Sequence, residues 1–176
     1  MGSIEDGPLF SPPEPLTAFH NVAGFESGEP TLDDWLAHRA IKSQEAGSAR
    51  TYVVRAGEDV AGFFSLSVGS ILRALALGRI RRNMPDPIPV MLLARLAVAQ
   101  RHHGRGLGAS LLQDAVRRTV QAAEIAGIRA MIVHTISQDA ARFYQHFGFR
   151  PSSADPLTLM ATLVDLEESI KPETGN

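Results

Sequence analysis

From Val90 to Val98 the chain reads Val-Met-Leu-Leu-Ala-Arg-Leu-Ala-Val, an almost unbroken apolar run. Such a run, bounded by prolines before and glycines after, predicts a strand buried on both faces. Past the glycines the period changes: Leu107, Leu111, Leu112, Ala115, Val116 and Val120 make an i, i+4 stripe that predicts a helix ending near Gly127. Upstream, residues 16–22 predict a short strand. Thr31 is a candidate N-cap for a helix carrying Leu32, Trp35, Leu36, Arg39 and Ala40 on one face as far as Gly47, with Trp35 as a core anchor. Thr51–Arg55 and Val60–Leu72 predict an antiparallel hairpin around Gly57-Glu58-Asp59. Residues 73–89, with arginines followed by prolines, predict an exposed, partly rigid loop. Residues 130–136 predict a buried strand, 138–147 a short helix closed by Gly148, and 157–166 a last strand.

The length of 176 residues and an apolar share of 44% suit a single domain. Its expected span is 16–167, with 1–15 a proline-rich flexible arm and 168–176 a polar flexible tail. No run reaches the ~18 apolar residues of a membrane span, and the start resembles neither a signal peptide nor a myristoylation site. With no cysteine there is no disulfide, thiolate metal site or cysteine nucleophile. The expectation is a cytoplasmic protein without a membrane partner.

Net charge is -2, but it is unevenly spread. Residues 1–70 hold 4 basic and 10 acidic side chains, residues 71–150 hold 12 and 4, and residues 151–176 hold 1 and 5. The basic middle is built of arginine, the side chain suited to bidentate phosphate contact.

Gly104, Gly106 and Gly108 fall between the long strand and its helix, where backbone at positive φ can turn N–H groups toward one anion, helped by the helix dipole. The turn lacks the Gly-Lys-Ser/Thr of a P-loop, and its glycine spacing is not that of a dinucleotide fingerprint. Read as Arg101-His102-His103-Gly104-Arg105-Gly106, it fits Arg/Gln-x-x-Gly-x-Gly/Ala. In this it resembles the pyrophosphate loop of the Gcn5-related N-acetyltransferases (GNAT), which bind acetyl-CoA. That resemblance implies an α/β (α+β) fold, a mixed central sheet of about six or seven strands splayed at its middle, with about four helices. It assigns Arg101, His103, Gly104, Arg105, Gly106, Gly108 and Ala109 to the cofactor loop, and Leu96, Ala97 and Val98 to the pantetheine arm. It also implies that the N–H near Val98 polarises the thioester carbonyl.

A second stretch, Asp139 to Phe149, is similar to a family motif in which a tyrosine faces the coenzyme sulfur. Carried over, Tyr144 is the general acid, and Ser137, Ala140 and Phe143 flank the cofactor, with Ser137 standing where asparagine is common. Further blocks, among them Leu32-Asp33-Asp34-Trp35-Leu36, Arg82-Asn83-Met84-Pro85 and Pro87 through Val98, resemble one branch of the family. Its members are toxins that acetylate the α-amino group of aminoacyl-tRNA and are paired with ribbon-helix-helix antitoxins. The resemblance makes aminoacyl-tRNA the acceptor and leaves room for a homodimer. The concentration of arginine in residues 73–82 makes Arg79, Arg81 and Arg82, with the adjoining Asn83, substrate-facing, and Arg95, a cation inside a buried strand that needs a partner or a ligand, is read the same way.

Physical chemistry agrees with an amine acceptor. An α-amino group titrates near ~7.7–8.0, lower when esterified, so a neutral nucleophile is at hand without a strong base. The six histidines show no metal-ligand spacing, and no metal is expected. Two other classes share the same cofactor loop: an acetyltransferase of a small amine or a protein amino group, and a coenzyme-binding module without catalysis.

Overall fold

The computed structural model describes residues 9–170. Seven strands form a mixed sheet in the order β1-β2-β3-β4-β5-β7-β6. They are β1 (Glu14–Pro15), β2 (Arg50–Ala56), β3 (Asp59–Ile71), β4 (Ile88–Val98), β5 (Ala130–His134), β6 (Arg150–Pro151) and β7 (Thr158–Thr162). The helices are α1 (Pro30–His38), α2 (Ala40–Ala46), α3 (Gly78–Arg81), α4 (Leu107–Ala123), α5 (Gln138–His146) and α6 (Leu163–Ile170). β4 runs parallel to β5, while β5 with β7 and β6 with β7 are antiparallel. The chain divides into two compact units, one of the described residues up to Ser65 with Arg95–Leu112, the other of Leu66–Ala94 with the described residues from Gln113.

In the first unit the core gathers Phe25, Trp35, Leu36, Ala40, Val53 and Phe63. Trp35 stacks on Phe63 at 6.1 Å between centroids, and Phe25 meets Phe63 edge-on at 5.5 Å. The single helix expected over 31–47 is two. Arg39 leaves the helical region at φ -124°, ψ -27°, and Pro30 and Gly47 mark the outer ends. No strand forms over 16–22. Thr17 and His20 close a turn instead, the Thr17 N–H donating to His20 Nδ1 at 2.9 Å, and side chains that bond nearby backbone compete with strand pairing. The proline-rich stretch is tied down over its described part. Ser11 N–H donates to Arg55 O at 2.8 Å, and Glu14 pairs across to Val53 while its carboxylate holds both His20 and Arg55. Residues 1–8 lie outside the described residues.

In the second unit Ile80, Ile88, Val90, Ala130, Ile132 and Met160 form the core. The stretch expected as an exposed loop carries a 3-10 turn at Arg73–Leu75 and the one-turn α3, because Ile80 is a buried anchor at 1% exposure. The last strand stops at Thr162, where the Thr162 hydroxyl accepts the Asp165 N–H at 3.2 Å and starts α6. Leu163 and Leu166, one turn apart, bury its inner face. Residues 168–170 are therefore helical, and 171–176 lie outside the described residues. Along α4 the expected stripe is buried from Leu107 to Val116, with Thr119 rather than Val120 completing it. The Thr119 hydroxyl is satisfied inside the helix by Ala115 O at 2.8 Å.

Candidate active site

β4 pairs with β5 from Val90 opposite Ala130 to Leu93 opposite Val133, then continues to Val98. Just past its end Ala99 N–H donates to Ala61 O at 2.8 Å. Backbone groups alternate edges along a strand, so Val98, one residue earlier, turns its N–H and C=O to the edge away from β3, and Leu96 does the same. Leu96 and Val98 are half-buried and Ala97 is buried. The Val98 carbonyl accepts from His103 Nε2 at 2.8 Å, which ties the glycine turn back to the strand end and fixes the proton of that imidazole on Nε2.

Within the turn Gly104 stands at φ +78° and Gly106 at φ +79°, conformations that a side chain would strain. Gly108 differs from expectation: it lies inside α4 and is not among the residues at positive φ. The Ser110 N–H bonds Gly106 O at 3.1 Å, so the N–H groups of Leu107, Gly108 and Ala109 precede the first intrahelical bond. At the positive end of a helix of 17 residues they are unbonded donors of the kind an anion accepts. Arg105 is exposed on this loop. Arg101 is less free than the motif suggests: it lies 3.6 Å from Asp59 and its Nε donates to His102 Nε2 at 3.2 Å. His102 is buried with its edge on Phe10 at 5.2 Å and its Nδ1 unpartnered. Burial, with Arg101 and Arg105 nearby, holds the His102 pKa below its ordinary value and keeps the ring neutral.

Arg95, also in the first unit, stacks its guanidinium 4.0 Å above the Trp35 ring. Burial and then the like charge of Arg39 lower its pKa, yet it stays cationic. The sequence marked Arg95 as needing a partner but could not name Trp35, which lies sixty residues away on α1.

In the second unit Ser137 caps α5: its hydroxyl oxygen accepts the Ala140 N–H at 3.1 Å, so its side chain serves the helix. Ala140 is half-buried, and Phe143 meets Tyr144 edge-on at 5.0 Å. Tyr144 is buried on α5, with Phe149 at 5.6 Å on another side. Burial pushes the phenol above its ordinary pKa, so it holds its proton across the neutral range.

The arginine segment divides into two kinds. Arg79 is 2.8 Å from Asp165, and Arg73 Nη2 reaches Arg81 O at 3.4 Å. Arg81 and Arg82 are exposed and form no ion pair among the described residues. Asn83 adopts the left-handed conformation at φ 57°, which asparagine tolerates and which ends the helical turn. Asp165 and Arg129, which contact this segment, went unremarked in the sequence. The Thr162-x-x-Asp165 cap was the local signal for one, and nothing local marked the other. Among the described residues no group of histidines and carboxylates could hold a metal ion, and no helix is long and apolar enough to cross a membrane.

Comparison with known proteins gives this geometry a context. Residues 47–151 match the model of the acetyltransferase (GNAT) domain. The chain is 47% identical over 156 residues to a tRNA-acetylating toxin of Mycobacterium tuberculosis, covering 89% of this chain and 94% of that protein. It superposes on AtaT complexed with acetyl-methionyl-tRNAfMet with a TM-score of 0.83 at 24% identity, covering 92% of this chain and 99% of the other. A tyrosine-to-phenylalanine variant of AtaT bound to acetyl-CoA and the C-terminus of the antitoxin AtaR gives 0.79 at 24%, covering 93% and 99%. At that identity these two structures speak for the fold.

Proposed function

The chain belongs to the GNAT acetyltransferase family, and we propose that it is a toxin that moves acetyl from acetyl-CoA to the α-amino group of aminoacyl-tRNA, blocking translation. Acetyl-CoA supplies a thioester whose carbonyl carbon is open to attack by an amine. The residues present suit that cofactor. Gly104 and Gly106 at positive φ and the leading N–H groups of α4 make a backbone cradle for a pyrophosphate, with Arg105 exposed beside them. Leu96 and Val98 direct backbone polar groups to the strand edge away from β3, where an amide-bearing arm can pair.

In this reading Val98 N–H donates to the carbonyl oxygen as charge builds on it. Tyr144 gives its proton to the departing sulfur as the C–S bond breaks and is recharged by the proton that the attacking nitrogen sheds on forming the amide, while burial keeps the phenol protonated between turnovers. The amine loses its own proton near neutral pH, which agrees with the lack of a free carboxylate base in either motif, Asp139 being exposed and paired with Arg142. Arg81 and Arg82 present positive charge to the polyanionic acceptor. The reading further includes action in the cytoplasm, where charged tRNA resides, and neutralisation by a ribbon-helix-helix antitoxin, and it leaves room for a homodimer.

The observation that carries the acceptor assignment is the likeness, over nearly the whole chain, to the mycobacterial tRNA-acetylating toxin. Incubation with labelled acetyl-CoA and total charged tRNA tests it. Label is expected in N-acetylated aminoacyl-tRNA and not in deacylated tRNA. Label confined to small amines or protein would overturn the assignment.

A further inference from the structure

α3 is four residues long, far too short to persist by its own hydrogen bonds. It is held from outside. Ile80 is buried at 1% exposure, so its neighbours Arg79 and Arg81, each about 100° away around the helix, project from the core. Arg129 then grips the backbone: its Nη2 donates to Arg79 O at 2.7 Å and its Nε to Ile80 O at 3.2 Å. The next carbonyl, of Arg81, accepts from Arg73 Nη2 at 3.4 Å. Three successive carbonyls at the end of a helical turn thus receive guanidinium donors, where the helix dipole favours a cation. Arg129 is itself fixed, its N–H bonded to Pro89 O at 2.9 Å and its carbonyl accepting Leu163 N–H at 3.3 Å. Arg79 is latched to Asp165. What remains outward and without an ion pair among the described residues is Arg81 and Arg82.

Two cations spent on clamping the backbone beside two more raise the local repulsion, and a solvated loop gains nothing from that arrangement. A polyanion does gain, because a backbone already held in place leaves less freedom to lose when the side chains it carries meet phosphate. We propose that Arg129 is a positioning residue that sets Arg81 and Arg82 as a preformed phosphodiester-binding pair, with Arg79 a structural latch and not a phosphate contact. This rests on the reading of the acceptor as charged tRNA.

A mutant cycle tests it on the full chain, with charged-tRNA affinity across a salt series as the readout and acetyl-CoA affinity as the control for folding. Arg81→Ala with Arg82→Ala is expected to weaken tRNA binding about tenfold or more and to lower the log-log salt slope by about two units. Arg129→Gln is expected to cause a comparable loss although it removes no phosphate contact, and Arg129→Lys, which keeps the charge but not the two-pronged grip, is expected not to rescue it. All three changes together are expected to cost no more than the double substitution. Multiplying losses, a wild-type response from Arg129→Lys, or loss of acetyl-CoA affinity in both Arg129 variants would overturn the proposal. Wild-type protein that binds charged tRNA with no salt dependence would overturn the acceptor reading itself.

Discussion

The glycine turn after β4 and the arginine segment before it both suit phosphate, and they are built by opposite means. The turn uses backbone: positive φ at Gly104 and Gly106 and the first N–H groups of α4 supply the donors. The segment uses side chains, and its backbone is held by residues from elsewhere, Ile80 in the core and Arg129 and Asp165 on its flanks. The first kind of site depends on φ and is indifferent to most charge changes. The second depends on charge and on distant supports.

The largest effect that would break this comparison lies outside both regions, in the chemistry they serve. Tyr144→Phe keeps the ring against Phe143 and Phe149 but removes the proton, and kcat is expected to fall by ~10²–10⁴ with acetyl-CoA affinity unchanged. Turnover at the wild-type rate would remove the tyrosine from the mechanism. Next comes Gly106→Pro, which forces φ near ~-65° where the chain needs +79°. Acetyl-CoA affinity by calorimetry is expected to drop at least ~100-fold while charged-tRNA binding persists. Loss of both together would mean that the two regions are not separate devices.

A smaller effect sharpens the assignment of protons. Because burial raises the Tyr144 pKa, the phenol stays protonated up to and beyond ~10, its ordinary value. Activity is therefore expected to rise about tenfold as the acceptor amine deprotonates between pH 6 and 8, then to level off without a falling limb below pH ~10. A decline above pH 8 in a stable protein would show that the acid is some other group.

How much of this the sequence reveals follows the same division. β4, the glycine turn, α4 and α5 are legible because their signals are local: an apolar run, glycines at a strand-to-helix junction, a helical stripe, and the Ser137 cap. What the sequence hides depends on partners far along the chain. The strand expected over 16–22 yields to a Thr17–His20 turn, and the helix over 31–47 breaks at Arg39. α3 reads as loop because its one apolar residue, Ile80, fills a core made by β4, β5 and β7. Arg79 looks like the neighbouring arginines until Asp165, eighty-six residues later, is placed against it. Gly108 is the reverse case: its spacing predicts a place in the turn, and it lies within the helix.

The central claim is that the acceptor is a polyanion met by Arg81 and Arg82 while the cofactor is met by backbone. Its most direct test is filter binding of charged tRNA across a salt series, comparing wild type, Arg79→Ala, and the Arg81→Ala, Arg82→Ala pair. Wild type is expected to give a steep log-log line, the pair a line shallower by about two units, and Arg79→Ala less than about half a unit of change because its guanidinium is held by Asp165. Flat lines for all three, or equal losses from Arg79 and from the pair, would contradict it.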